Sequence, residues 1–279
     1  MAEITVAMIN DLRTRTNAGM MDCKKALTDT HGDMDAAIKI LRMKGLTIQI
    51  KRADKESKEG VISAAAAADG TVLALAEVNC ETDFVAKTDT FKAFVADVAR
   101  NVLAGDEAVA ETMKEDLVAI IGTTGENVKI RRIARFAASA TTRVESYIHM
   151  GGKVGVLVEV AGTKPETIAH PAVAEMIHDL ALQVAAASPR YVRSSDVPAA
   201  DVEAEKDIFR KQVEGKPANI IENILKGKIQ KYYSEVCLID QPFVKEPKQT
   251  ITQVVNDAAT KAGDTLTVTR FVRFQLGAA

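Results

Sequence analysis

The fold is decided by a stretch of sequence that occurs twice, first as Gly70-Thr-Val-Leu-Ala-Leu-Ala-Glu-Val78 and then as Gly152-Lys-Val-Gly-Val-Leu-Val-Glu-Val160. The second copy begins 82 residues after the first, and its apolar and acidic positions coincide with those of the first. At the same spacing four further apolar pairs match: Ile62 with Val144, Val98 with Leu180, Ala99 with Ala181, and Val102 with Val184. Such apolar runs between turn residues predict buried strands. Each copy therefore predicts a strand, a turn, a second strand and an amphipathic helix.

A second match closes each copy. Gly125-Glu126 precedes the run Ile130 to Phe136, and 138 residues later Gly263-Asp264 precedes the run Val268 to Phe274. Each run predicts a last strand. Because 138 exceeds 82, the second copy holds about 56 additional residues between its first helix and its last strand.

The additional residues predict a helical hairpin. Asp201 to Gln212 has a helical composition, and Gly215-Lys216-Pro217 predicts a tight turn because glycine and proline break helices. Apolar residues recur at helical spacing on both sides: Val202, Ile208, Phe209, Val213, Ile220, Ile221, Ile224, Leu225, Ile229 and Tyr232. They either pack on each other within the hairpin or form a dimer or partner contact.

The first 45 residues predict three short helices, each with a start, an apolar face and a stop. The first is capped by Thr5 and carries Val6, Ile9 and Leu12; a turn follows at Asn17-Ala18-Gly19; the second carries Cys23, Ala26 and Leu27 and stops at Gly32; the third is capped by Asp33, carries Ala37, Ile40 and Leu41, and ends near Gly45. A core this small is marginal alone, which fits a docking module. Lys51 to Glu59 mixes both charges and predicts a solvated tether or helical spacer.

The predicted fold class is α+β: a three-helix head, a duplicated α/β core with small antiparallel sheets, and a helical hairpin inserted in the second core unit. The expected boundaries are 1–54 for the head with its tether, 55–140 for the first core unit, 141–186 with 239–279 for the second, and 187–238 for the hairpin.

Composition narrows the class of function. The formal net charge of −2 and the 4% aromatic content argue against a chain held to nucleic acid by its overall field or by base stacking. No run approaches the ~18 uncharged apolar residues that a membrane span needs, and the first residues lack the order of a signal peptide. Three separated cysteines fit a reducing cytoplasm, either as buried thiols or as partners in a regulatory or intermolecular disulfide.

The two copies differ after the matched Glu77 and Glu159. The first reads Asn79-Cys-Glu-Thr-Asp-Phe-Val-Ala86, where the second reads Ala161-Gly-Thr-Lys-Pro-Glu-Thr-Ile168. Thr82 or Asp83 could cap the following helix, and Phe84 could turn inward as a core residue. Alternatively, Phe84 is an exposed hydrophobic wedge with Asp83 beside it, since exposed aromatics on rigid loops are typical binding hot spots.

Two other classes of function have weaker support. The four histidines lack metal-ligand spacing, and Gly151-Gly152-Lys153 lacks the glycine that a phosphate loop needs five residues before the Gly-Lys pair, where Tyr147 stands. An enzyme is therefore not expected. An RNA- or ribosome-associated binding protein is the alternative, supported by the basic strand Lys129 to Arg135, although strand alternation favours a solvated arginine face there.

Three segments resemble the bacterial elongation factor Ts family: Leu12-Arg-Thr-Arg-Thr-Asn-Ala-Gly-Met-Met-Asp-Cys-Lys-Lys-Ala-Leu27, Glu77-Val-Asn-Cys-Glu-Thr-Asp-Phe-Val-Ala86 and Gln241-Pro-Phe-Val244. The resemblance runs in order over essentially the whole chain. One departure is Asn17, which stands where the family commonly has glycine; asparagine is the next-best residue for a turn with positive φ.

The resemblance implies a guanine-nucleotide exchange factor for elongation factor Tu, a cytoplasmic protein with no cofactor, no metal, no membrane contact and no specific nucleic acid. It implies a ubiquitin-associated-like head that docks on the GTPase through Leu12, Arg13, Met20 and Met21. The loop Thr82, Asp83, Phe84 and Val85 would lie beside the nucleotide and help to dislodge its magnesium ion. His149 of the second core unit would touch a more distant domain of the GTPase. A dimer through the hairpin is one expected arrangement.

Overall fold

The computed structural model describes residues 4–16, 18–212 and 218–278 of the chain. Three helices form the head, and their bounds are α1 Val6–Thr16, α2 Met20–Asp29 and α3 Met34–Arg52. The caps are as predicted: the Thr5 hydroxyl accepts from the Met8 amide, and the Asp33 carboxylate accepts from the Ala36 amide at 3.0 Å. After α2, Gly32 has a φ of 90° and its amide donates to the Leu27 carbonyl, which closes that helix. Asn17 lies outside the described residues.

The head has a small core of its own, formed by Ile9, Leu12, Ala18, Cys23, Ala26, Leu27 and Ala37. Two predicted core positions are wrong, since Val6 and Ile40 are exposed. Each lies on the outer side of its helix, because a three-helix core of this size covers only a narrow stripe of each helix.

Helix α3 continues seven residues beyond Gly45, so the predicted stop at Gly45 is wrong. This glycine is a packing residue: a Cβ there would lie 2.4 Å from the carbonyl oxygen of Val118. Gly122 faces it, and a Cβ on Gly122 would lie 3.3 Å from the Cα of Gly45. Two backbones therefore meet at close range. Farther along, Ile48 packs against the first core, so α3 joins that core to the head.

We expect Gly45→Ala to lower the free energy of unfolding by about 1–3 kcal/mol, the usual cost of overpacking a close contact. In an isolated helix the same change would stabilise by about 0.5–1 kcal/mol, so the sign distinguishes packing from helix propensity. Urea denaturation measures the effect. Gly227→Ala is the matched control, because among the described residues no atom lies within 4 Å of its Cβ position. That variant should be more stable than the parent, and a stabilising Gly45→Ala would contradict the close contact.

The first core unit contains a three-stranded sheet in the order β1-β2-β3. Its elements are β1 Glu59–Ala66, β2 Val72–Cys80, α4 Asp83–Ala86, α5 Asp89–Leu103, α6 Val109–Thr112, α7 Lys114–Thr124 and β3 Lys129–Ala137. Strands β1 and β2 are antiparallel, with Glu59 opposite Cys80. Helix α5 buries Phe91, Val95 and Val98 against them. The predicted tether is divided: Lys51 and Arg52 end α3, a turn follows, and Glu59 begins β1.

The second core unit repeats this order with the insertion, and its sheet has the strand order β4-β5-β6. Its elements are β4 Thr142–His149, β5 Val154–Ala161, α8 Pro165–Ala169, α9 Pro171–Ala187, α12 Ile251–Ala262 and β6 Thr267–Gln275. The central strand β5 is buried along nearly its whole length. These elements confirm the repeat, the α+β class and the small antiparallel sheets.

A buried ion pair is also repeated. Glu77 is fully buried and accepts from Arg132 Nε at 2.5 Å and from Arg131 at 3.2 Å. In the second copy Glu159 accepts from Arg270 Nη2 at 2.7 Å. Arg131 and Arg135 are exposed, as strand alternation predicts for some of these arginines, whereas Arg132 is half-buried. Arg131 and Arg132 also pair with Glu77, which the sequence did not indicate, because a carboxylate buried in an apolar run requires a cationic partner.

The inserted hairpin consists of α10 Ala199–Gln212 and α11 Ala218–Val236, preceded and followed by the 3-10 turns Ser194–Asp196 and Leu238–Asp240. At its base Val197, Tyr232 and Cys237 form a buried cluster, which supports packing within the hairpin. Ile208 is half exposed. The turn 215–217, Val213 and the side chain of Ile220 lie outside the described residues, and a dimer through the hairpin stays a prediction.

The motif at Gln241 closes the insertion. Gln241 is buried and accepts from the Gln183 amide at 3.0 Å, while its own amide donates to the Glu235 carbonyl. Gln183 also accepts from the Val244 amide at 2.9 Å. These bonds tie the end of α11 to α9.

The chain divides into two compact units. One comprises residues 1–135, 148–155 and 274–279, and the other comprises 136–147 and 156–273. The head is thus grouped with the first core, whereas the four boundaries predicted from the sequence stay a prediction. Among the described helices, none is long and apolar enough to cross a membrane.

Candidate functional site

The junction between β2 and α5 is a single capped helical turn. Thr82 is extended, with φ −124° and ψ 152°, and its hydroxyl accepts from the Val85 amide at 3.3 Å. The next cap follows at once, because Thr88 accepts from the Phe91 amide and donates to the Val85 carbonyl. Hydrogen bonds therefore fix the backbone of this loop at both ends. Of the two capping residues that the sequence allowed, the structure selects Thr82.

Phe84 projects from this turn into solvent and is 79% exposed. Its neighbours face the other way: Val85 packs against the first core, and Ala86 is buried. The inward alternative for Phe84 is therefore wrong. Leaving a phenylalanine side chain in water forgoes about 1.5–3 kcal/mol of burial. An exposed aromatic on a backbone that is hydrogen-bonded at both ends is typical of a binding hot spot.

Asp83 lies beside Phe84 at the protein surface. Its carboxylate accepts from Lys87 Nζ at 2.5 Å, one helical turn away. This bond holds the pKa of Asp83 below its usual range and raises the pKa of Lys87. Asp83 is therefore ionised at neutral pH, and the loop presents a carboxylate, paired with Lys87, next to an aromatic ring.

The Glu126 carboxylate is hydrogen-bonded to the start of the loop. One of its carboxylate oxygens accepts from the amides of Glu81 and Thr82, both at 3.0 Å, and the other accepts from the Thr82 hydroxyl at 2.6 Å. The sequence showed Gly125-Glu126 only as the start of the last strand. The repeated pair Gly263-Asp264 was the available signal, since an acid at both positions indicates a shared structural task.

Arg52 and Glu81 link the end of α3 to the same junction. The guanidinium donates to both carboxylate oxygens at 2.7 and 2.6 Å, and Glu81 also accepts from the Asn127 amide at 2.6 Å. Arg52 is the main reason why the pKa of Glu81 lies below its usual value. A lowered carboxyl pKa stabilises the fold above the unfolded-state value, and this contribution is lost as the pH falls through the folded-state value.

The second copy has the same support without the aromatic. Asp264 accepts from the Thr163 amide at 2.9 Å and from the hydroxyls of Thr163 and Thr167. At the spacing of 82 residues, Pro165 stands at the position of Asp83 and Glu166 at that of Phe84. The acid–aromatic pair thus belongs to the first copy alone.

The predicted head residues divide into one core residue and three surface residues. Leu12 is fully buried in the head core and presents no side chain to a partner. Arg13 is exposed on α1, and the first turn of α2 exposes Met20 and Met21 by 51% and 74%. Two neighbouring exposed methionines form an adaptable apolar surface.

His149 is exposed at the end of β4, just before a turn in which Met150, Gly151 and Gly152 all have positive φ. Gly152 is required there because a Cβ would lie 2.9 Å from the Ile62 carbonyl oxygen. The Ile62 amide donates to the Gly152 carbonyl at 2.8 Å, so the turn is attached to β1. His149 belongs to the same compact unit as the head and the loop.

Two of the other three histidines, His170 and His178, make contacts that explain their positions. His170 caps α9 by accepting from the Ala172 amide, and His178 packs edge-on against Tyr147. Within the described residues, no group of three or more histidine, cysteine or acidic side chains is arranged to hold a metal ion. The cysteines are free and buried, which confirms the interpretation as buried thiols.

Comparison with known proteins identifies the family. A family model described as Elongation factor TS matches residues 81–278. The chain is 44% identical to Elongation factor Ts of Symbiobacterium thermophilum over 99% of this chain and 93% of the relative. It is 41% identical to Elongation factor Ts of Desulfovibrio desulfuricans over the full length of both. The chain belongs to the elongation factor Ts family.

Membership in the elongation factor Ts family confirms the resemblance and assigns the chain a role in translation elongation. The loop described above begins where the family match begins, at Glu81, and the match also includes Glu126 and the turn that carries His149. The head lies before that match but within the full-length similarity to the relative from Desulfovibrio desulfuricans.

Proposed function

We propose that this chain is a guanine-nucleotide exchange factor that binds elongation factor Tu carrying GDP and promotes GDP release, so that GTP can bind. The observation that carries the proposal is Phe84, an exposed aromatic beside an ionised aspartate on a turn capped at both ends. In a member of the elongation factor Ts family, such a loop is suited to act on a GTPase partner.

The loop would act on the magnesium site of the GTPase. Magnesium bridges the phosphates of the bound nucleotide and a hydroxyl of the phosphate loop, and it demands near-ideal octahedral geometry. A phenyl ring pressed into the backbone nearby, with the carboxylate of Asp83 next to it, disturbs that geometry and weakens nucleotide binding. Linkage makes the effect reciprocal, so incoming GTP releases the factor that had released GDP.

The free energy for this disruption would come from the other contacts. Arg13, Met20 and Met21 are exposed on the head, and we assign them to docking. Leu12 contributes by holding α1 in the head core. His149 would add a separate contact from its turn. Every ~1.4 kcal/mol that these contacts supply to the coupling is a tenfold change in nucleotide affinity.

The proposed activity needs no acid, base, nucleophile or cofactor in this chain, and we therefore do not regard it as an enzyme. It takes place in the cytoplasm, where translation elongation proceeds. The alternative, an RNA- or ribosome-associated protein without exchange activity, rested on the basic strand. Arg131 and Arg132 are paired with Glu77, which leaves that strand a weak basis for RNA binding.

Stopped-flow fluorescence tests the proposal. Elongation factor Tu loaded with fluorescent GDP should release it faster when this chain is added together with excess unlabelled GDP. The chain alone should not hydrolyse GTP. Unchanged GDP release at all concentrations of the chain would contradict the proposal, and tight, sequence-specific RNA binding would support the alternative.

A further inference from the structure

The loop from Thr82 to Val85, called the exchange loop below, is held by the side chain of Glu126, which lies outside it. Glu126 accepts three hydrogen bonds from the start of the loop, two from backbone amides and one from the Thr82 hydroxyl. That hydroxyl is also the cap of α4, because it accepts from the Val85 amide. The orientation of the cap is therefore set by Glu126, and the cap sets the direction in which Phe84 leaves the chain.

Glu126 is itself rigidly placed. Helix α7 ends at Gly125, whose φ of 73° and bond to the Ile121 carbonyl terminate the helix one residue before Glu126. Before that end, α7 packs on α3 through the close approach of Gly122 to Gly45. A displacement of Glu126 would thus require movement of a helix that is packed against another helix.

A second attachment reaches the loop from α3. Arg52 near the end of that helix forms a two-bond ion pair with Glu81, the residue before Thr82. Asn127 donates its backbone amide to Glu81 and its side-chain amide to the Lys55 carbonyl at 2.7 Å. The loop is therefore connected to both α7 and α3, the helix that also carries the head.

We propose that Glu126 is the positioning residue of the exchange loop, and that it converts docking into nucleotide release by fixing Phe84 in one orientation. This inference rests on the proposed function. A loop without this carboxylate would sample several orientations, and the entropy of fixing it in one of them would be lost when the phenyl ring of Phe84 is inserted into the partner. The variant should therefore have a lower rate of GDP release from the assembled complex. Assembly of the complex depends on the head contacts, which would be unchanged.

The second copy supplies a matched control within the same chain. Asp264 also accepts three hydrogen bonds from its junction, one from the Thr163 amide and two from the hydroxyls of Thr163 and Thr167, and that junction carries Glu166 in place of the aromatic. Removing Glu126 leaves two amides and one hydroxyl without this acceptor, and removing Asp264 leaves one amide and two hydroxyls. With three donors affected in each case, the two variants have a similar structural cost. Only the Glu126 variant should change nucleotide release.

The experiment measures release of fluorescent GDP from elongation factor Tu over a range of concentrations of the full chain, for the parent, Glu126→Ala, Glu126→Gln and Asp264→Ala. For Glu126→Ala we expect the maximal release rate to fall about tenfold, while the half-saturating concentration changes less than about threefold. Glu126→Gln keeps an acceptor for the amides and should recover most of the rate. Asp264→Ala should match the parent in both quantities.

A parent-like maximal rate for Glu126→Ala would overturn the inference, as would equal losses for Glu126→Ala and Asp264→Ala or a change in half-saturation alone. If Glu126→Ala does not fold, as judged by thermal unfolding, Thr82→Val is the second variant. It removes one of the three bonds to Glu126 together with the cap bond from the Val85 amide, and should lower the maximal rate at least about threefold. No loss would again overturn the inference. A parent that does not accelerate release would overturn both proposals, whereas an active parent with a fully active Glu126→Ala would overturn only this one.

Discussion

A chain carrying Phe84→Ala is expected to release GDP from elongation factor Tu about 30-fold more slowly than the parent, because truncating a central aromatic hot spot costs about 2 kcal/mol. The ring is 79% exposed, so its removal takes nothing from the core of the chain. Surface substitutions of this kind change stability by no more than about 0.5 kcal/mol. The measurement is stopped-flow release of fluorescent GDP, with thermal unfolding of both proteins beside it.

The repeat again provides the control for this prediction. Glu166 occupies the position of Phe84 in the second copy and is also exposed, so Glu166→Ala should leave release at the parent rate. Phe84→Leu keeps part of the apolar volume and should fall between the parent and the alanine variant. Equal rates for the parent and Phe84→Ala would remove the wedge from the mechanism, although the family assignment would stand.

A second large effect is expected in the head. Replacing Met20 and Met21 together by alanine should raise the half-saturating concentration about 30-fold and leave the maximal release rate unchanged. The reason is that two methionine side chains partly buried against the partner would contribute about 2 kcal/mol to binding. Both side chains are exposed at the start of α2, so their loss should not unfold the head. The concentration dependence of GDP release measures the two quantities separately.

Met43→Ala is the control for the head variant. Met43 is 68% exposed on α3 and is not one of the predicted docking residues. It should leave both the half-saturating concentration and the maximal rate unchanged. Two results would contradict the assignment of docking to the first turn of α2. One is a lower maximal release rate for the double variant, and the other is a half-saturating concentration for Met43→Ala as high as that of the double variant.

The arrangement of the core could be predicted from the sequence because the same pattern of apolar and acidic residues occurs twice in the chain. Two runs with matching apolar and acidic positions fix the strands, and the second acid–glycine match fixes the last strand of each copy. The hydrogen bonds confirm the alignment in detail: the Glu81 amide donates to Glu126 as the Thr163 amide donates to Asp264. Predictions based on repetition need no knowledge of tertiary contacts.

What the sequence could not determine depends on long-range contacts. The sequence predicts a helix stop at Gly45 because glycine weakens helices, yet the neighbour of Gly45 is Val118, which is 73 residues away. Strand alternation places Arg131 on an exposed face, but it gives no sign that Arg131 pairs with the buried Glu77 of the adjacent strand. In both cases the contact partner is distant in sequence.

The candidate site was partly predictable for a related reason. A difference between two copies of one fold identified the loop from Thr82 to Val85, but the direction of Phe84 depended on which side of the turn packs against the core. Leu12 carried the family signature and proved to be a core residue, since a signature does not separate residues that touch a partner from residues that hold the surface. Glu126 was missed because its role appears only when the loop and α7 are brought together.

If this chain accelerates nucleotide release by disturbing the magnesium site of its partner, its effect on GDP release must depend on magnesium. GDP release from elongation factor Tu is measured with and without the parent chain, once in millimolar magnesium and once in excess chelator. If the loop acts on magnesium coordination, the two effects overlap and are not independent. We expect a large acceleration by the chain in magnesium and a much smaller one after chelation. An acceleration of equal size in both conditions, or none in magnesium, would contradict it.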